Sequence, residues 1–110
     1  MKKCSSVVAV LCSALVAIGC QTVDVTKTAK GSFAPTNAAD VEILRTRPDR
    51  RFIELATVTT TGHAPSQEAK MHNALREKTS DVGANAVILT ESGLDANGNL
   101  WCRGVAIRWQ

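Results

Sequence analysis

One stretch of this 110-residue chain carries helical periodicity, and most of what surrounds it has the character of strand. From Ser66 to Val82 good helix formers follow one another. Met71, Ala74, Leu75 and Val82 recur at steps of three, four and seven, close to a single face. Lys70, Asn73, Arg76, Glu77 and Lys78 cover much of the rest. Gly62-His63-Ala64-Pro65 interrupts the chain beforehand, and Ser66 suits an N-cap with Gln67 and Glu68 in the first turn. Gly83 suits the left-handed stop at the far end. A lone helix covers one side of a sheet and leaves the other to be explained.

Val41-Glu42-Ile43-Leu44 is a short apolar run, and Phe52 to Thr61 is rich in β-branched residues, so each reads as a strand. Between them lies Arg45-Thr46-Arg47-Pro48-Asp49-Arg50-Arg51, with a turn centre at Pro48-Asp49. That arrangement predicts a hairpin across a basic loop. Beyond the helix, residues 86–90 are compact and apolar, as a central strand is. Asn97-Gly98 tolerates the positive φ of a type I′ turn, and Leu100 to Trp109 returns as the last strand. Its odd positions, Trp101, Arg103, Val105, Ile107 and Trp109, are bulky, whereas Cys102, Gly104 and Ala106 are small. The helix then packs tightly on the small side. The order is β-β-α-β-β, an α+β globular domain over residues 41–110 with about four strands and one helix on one face. The bulky face needs its own cover. Either residues 20–40 fold back, with Phe33 or Val25 over Trp101, or a second copy or partner sits on the tryptophans.

The N-terminal end follows a different logic. Lys2-Lys3 precede an apolar run from Val7 to Ile18, whose twelve residues fall short of the roughly 20 that a spanning helix needs. A charged start, a short apolar core and small residues at the end are the parts of a secretory signal. The tetrad Ala17-Ile18-Gly19-Cys20 resembles the lipobox of bacterial lipoproteins. That resemblance implies cleavage after Gly19, diacylglycerol on the Cys20 thiol and acyl chains such as palmitate holding the protein to the membrane. Gln21 stands where, by resemblance to enterobacterial lipoproteins, an aspartate would retain the protein in the inner membrane. The implied residence is the outer membrane, with the domain facing the periplasm. Residues 1–19 are then signal peptide, and 20–40 a lipidated cysteine and flexible tether, rich in Thr, Ala, Lys, Gly, Ser, Pro and Asn. Such a tether spans about 25 Å, from ~5–6 Å times the square root of its length. Val23-Asp24-Val25 alternates within it and offers a short extra strand.

Processing also changes the charge and the cysteine count. Loss of Lys2 and Lys3 takes the formal net charge from +3 to +1. Together with four aromatic residues and no tyrosine, that argues against nucleic acid as a partner. Cys4 and Cys12 leave with the signal and Cys20 becomes a thioether, so Cys102 remains as the single thiol. A lone thiol in an oxidising compartment is buried, paired with another molecule or reactive.

The strand Val41-Glu42-Ile43-Leu44, the Arg-x-Arg-Pro-Asp-Arg loop, Val82-Gly83-Ala84-Asn85-Ala86-Val87-Ile88-Leu89 and Cys102-Arg103-Gly104-Val105-Ala106-Ile107 form a familiar set. Over residues 41–108 they resemble the small α+β domains of envelope lipoproteins related to the Rcs stress-sensor lipoprotein, and domains named for heavy-metal binding. The resemblance implies the fold. The sensor's disulfides, and with them its signalling role, are not implied, because this chain lacks the cysteines.

No catalytic set is legible, which points away from an enzyme. His63 and His72 are the only imidazoles, and neither has an acidic or cysteine companion at ligand spacing. A metal site would have to gather Cys102, His63, His72 and Met71 from distant positions, a donor set suited to soft metals. Arg45, Arg47, Arg50 and Arg51 offer contact with an anion or an acidic partner, unless they form a solvated hairpin tip. The resulting expectation is a non-enzymatic, cofactor-free binding or stress-interaction module of the envelope, meeting an envelope protein or a second copy of itself. A soft-metal or thiol-reactive binding protein, using Cys102, is the alternative.

Overall fold

The computed structural model describes residues 21–110; the expected signal peptide and Cys20 lie outside the described residues. Five strands form one mixed sheet: β1 Thr22–Lys27, β2 Glu42–Leu44, β3 Phe52–His63, β4 Ala86–Leu94 and β5 Leu100–Trp109. Their order across the sheet is β1-β3-β5-β4-β2. A 3-10 turn at Pro65–Gln67 leads into the helix α1, Glu68–Ser80, which packs on one face. The fold class is α+β with a single helix, as the sequence pattern predicts.

Two expected features of the strand layout change. The first is the hairpin across the arginines. β2 lies at the far edge, parallel to β4, with Glu42 opposite Ala86 and Leu44 opposite Ile88. β3 lies on the other side of β5. Residues 45–51 therefore cross two intervening strands, about 14 Å at ~4.8 Å per strand spacing. Local turn chemistry at Pro48-Asp49 cannot distinguish a tight return from such a crossing.

The second change is the tether. Residues 22–27 form β1, paired antiparallel with β3 along their whole length from Thr22 opposite Thr61 to Lys27 opposite Ala56. The following segment is tied down as well. Thr28 and Ala29 donate their N–H groups to the Leu55 carbonyl, and Thr36 donates to the carbonyls of Ser80 and Ala84. Asn37 caps a short 3-10 turn at Ala38–Asp40. Among the described residues the sheet thus begins at Thr22 rather than Val41, with five strands rather than four.

Helix-face packing follows the small-residue logic of β5. Met71 and Leu75 pack with Val41, Val58, Val87 and Cys102, all buried. Thr79 is also fully buried, and its hydroxyl donates to the Leu75 carbonyl one turn back. Gly104 is needed because a Cβ there would come within 2.7 Å of the Ile88 carbonyl oxygen. Gly83 stops the helix region in the left-handed conformation at φ +90°, and a Cβ there would strike Phe33 and Ala34. Ser66 is not the cap; Ala64 opens the turn and its N–H is taken by the Gln67 side chain. The β4–β5 turn also differs in type. Gly98 alone takes positive φ, while Asp95 accepts from the N–H groups of Asn97 and Asn99.

Candidate functional site

On the face away from the helix, Ala86, Ile88 and Ile107 form a buried cluster flanked by Leu44, Phe52, Val105 and Trp109. The crossing loop lies against its edge. Arg50 stacks over the Trp109 ring at 4.6 Å and Arg47 over the Phe52 ring at 4.7 Å. Arg51 anchors the loop, its carbonyl accepting from the Gln110 N–H. Arg47, Pro48, Asp49, Arg50, Arg51, Phe52 and Gln110 surround an open depression of about 310 Å³. Stacking lets a guanidinium seal an aromatic ring with its flat face while its in-plane N–H donors stay directed outward. Arg47 is 3.9 Å from Glu54, with both side chains largely exposed, so that pair is weak. Arg45 goes elsewhere. It turns toward α1 and pairs with Glu68 at 3.3 Å. The structure therefore brings together Arg47, Arg50 and Arg51 and separates Arg45 from them.

The five bulky positions of β5 do not make one apolar stripe. Ile107 is fully buried within the chain. Arg103 is exposed and 3.6 Å from Glu91. Val105 and Trp109 are half-buried beside Ile107. Trp101 sits at the opposite end of the strand, its ring over Gly93. Toward β1 the same face presents Thr57 opposite Val105, Thr59 opposite Arg103 and the paired hydroxyls of Thr22 and Thr61. The face is apolar at one end only, and there the arginine loop shields it. Phe33 and Val25 do not cover Trp101. Both pack on the other side of the sheet with Leu55, Ala56, Ala84 and Ala106, and Arg108 stacks on Phe33 at 5.3 Å.

A second concavity, about 180 Å³, opens between the start of α1 and the β4–β5 hairpin. Arg45, Glu68, Met71, His72, Leu94, Leu100, Trp101 and Cys102 contribute to its wall. Contrary to the expectation that His72 lacks an acidic companion, Glu68 lies one turn back on α1 and 3.8 Å away, and the same carboxylate holds Arg45. Burial keeps the His72 imidazole below its usual range, Glu68 opposes the shift, and Arg45 and Arg76 add to it. His63 is buried at the end of β3 with its Nδ1 unpartnered, and burial together with Lys70 holds it neutral more strongly than in water. Cys102 is fully buried, its sulfur 3.1 Å from the Thr60 hydroxyl. Burial raises its thiol above the ordinary range, Thr60 partly offsetting this, so the reactive thiolate is disfavoured. Met71, His72 and Cys102 thus share one concavity, yet among the described residues no three His, Cys, Asp or Glu side chains converge as a metal would need.

Sequence reasoning singled out Arg47, Arg50, Arg51 and Trp109 separately. It missed that Phe52, Pro48 and Gln110 complete their surroundings. Phe52, the aromatic directly after the loop, was the available signal.

No protein-family model matches this chain, and no curated protein does. Among solved structures, the crystal structure of a Francisella virulence factor, FvfA, is similar, with a TM-score of 0.59 over 78% of this chain and 96% of that one. The two sequences are 14% identical, so what this likeness establishes is the α+β fold itself.

Proposed function

We propose that this chain is a lipid-anchored lipoprotein of the bacterial outer membrane whose periplasmic domain works by binding rather than catalysis. The lipobox-like Ala17-Ile18-Gly19-Cys20 behind its short apolar run supports the anchor, and Gln21 supports outer-membrane residence. The resemblance to envelope lipoproteins related to the Rcs stress sensor agrees with both. The observation that carries the binding reading is the pair of arginines stacked on Phe52 and Trp109. Stacked arginines with free edges recognise carboxylate or phosphate groups in bidentate fashion, and an adjacent large ring supplies apolar contact area. The partner is accordingly an envelope protein presenting acidic groups beside an apolar surface.

Two measurements test this. Lipid labelling of the full chain should be abolished in Cys20→Ser, and a mutant that keeps the label would remove the anchor from the proposal. A photo-crosslinker placed at Arg51 in intact envelopes should capture a discrete acidic protein, and Arg47→Ala/Arg50→Ala should abolish the capture. Capture that is unchanged by the double substitution would refute the arginine patch as the binding surface.

A further inference from the structure

The register of the sheet places β1's first residue, the β3–α1 connection and the β4–β5 hairpin at one end. Thr22 lies opposite Thr61, His63 opposite Leu100, and Leu94 opposite Leu100. Gln21 already bonds to Gln67 through their side chains, 3.1 Å apart. Cys20 precedes Thr22 by two residues, a span of at most about 7 Å. No length of free chain remains between the lipidation site and the folded sheet. We infer that this end of the domain lies directly on the bilayer, with Leu94 and the β4–β5 hairpin in contact with its surface and the arginine loop held away from it. This inference rests on the proposed lipid anchor at Cys20.

Three features of that end fit a lipid surface. Leu94 is the one large hydrophobic side chain among the described residues that is strongly exposed, at 60%. It stands where an anchored end would meet the interface. Trp101 lies alongside, half-buried over Gly93, and an indole with an apolar body and an N–H suits the headgroup region. Two acidic groups nearby are engaged within the domain. Asp95 accepts two backbone N–H groups of its own loop, and Glu68 is shared by Arg45 and His72. The opposite end carries Phe52, Trp109 and the loop 47–51, about 30 Å away along β5 at ~3.3 Å per residue. A rigidly attached domain would thus present its arginines to the periplasm in a fixed orientation, where a free tether would present them in all directions.

The test uses the purified full-length lipoprotein in vesicles of phosphatidylethanolamine and phosphatidylglycerol with brominated acyl chains. An environment-sensitive dye is attached through Leu94→Cys in one sample and through Asp49→Cys in another. Cys102 stays in place because it is buried, and the unsubstituted chain controls for its labelling. The dye at position 94 should show blue-shifted emission and quenching by bromine, and the dye at 49 neither. Equal responses at the two positions in a chain whose mass shows the acyl groups would overturn the orientation while leaving the anchor intact. A mature chain whose mass shows no acyl groups would overturn the anchor and this inference with it. As a second readout, a long flexible Gly/Ser insertion between Gln21 and Thr22 should abolish the difference between the two positions; a difference that survives it would contradict the close attachment.

Discussion

The two faces of the sheet are sealed by opposite chemistries. The helix face is closed by Met71 and Leu75 on Val58, Val87 and Cys102, all of them buried. The other face is closed only at its Trp109 end, and there by guanidinium groups laid over aromatic rings. Elsewhere it presents threonines and the Arg103–Glu91 pair to water. β5 contributes to both, with small residues on one side and bulky ones on the other. On the proposed function, the difference separates stability from recognition: close apolar packing carries the first, and exposed stacked cations are available for the second.

Removing part of the helix-face seal should have the largest effect. Deletion of residues 21–39 takes away β1 and Phe33, so the truncated domain should lose cooperative thermal unfolding. A truncated domain that melts as the intact one does would show that β1 is dispensable. Leu75→Ala comes next. It empties a fully buried site and should cost about 2–5 kcal/mol, seen as a Tm lower by at least about 10 °C. Trp109→Ala, on the other face, removes a half-buried ring and should cost about 1–2 kcal/mol. Arg50→Ala should change stability by about 0.5–1 kcal/mol or less, while partner capture is lost. If Arg50→Ala destabilised the fold as much as Leu75→Ala, the contrast between the faces would fail.

The smallest effect is a pH dependence. His63 and His72 both hold their protons less readily in the folded domain than in the unfolded chain. The unfolded state therefore takes up protons first as the pH falls. Stability should be full above the ordinary histidine value of 6.5 and decline below it, levelling once the folded-state values are passed. Tm measured between about pH 8 and pH 5 checks this; a rise on acidification would show that a protonated histidine is stabilised instead.

The helix, the β4–β5 hairpin and the alternation of β5 were legible because each is written in neighbouring residues. β1 shows in the sequence only as the alternation Val23-Asp24-Val25, and composition hides the rest of it. Thr22, Asp24 and Thr26 face water and leave only Val23 and Val25 to report a strand, so an edge strand wet on one side reads much like a linker. The loop 45–51 was legible as basic, but not as a crossing. Arg45 was grouped with its neighbours in sequence, whereas its carboxylate partner Glu68 comes from the helix. Arg50 and Trp109 drew separate readings because 59 positions of chain numbering separate residues that stack on each other.

By itself the sequence determined the place of the helix and of four strands, the α+β class, the small and bulky sides of the last strand and the candidate lipidation site. Those depend on propensity, periodicity and short motifs, whose energies act within a few residues. Tertiary structure alone decided the order β1-β3-β5-β4-β2, the start of the sheet at Thr22 and the union of arginines with Trp109 and Phe52. Those depend on which distant strand offers the matching ladder and burial partner. That choice belongs to the whole sheet at once, since a strand's hydrogen bonds and its buried face are both satisfied by residues far away in the chain.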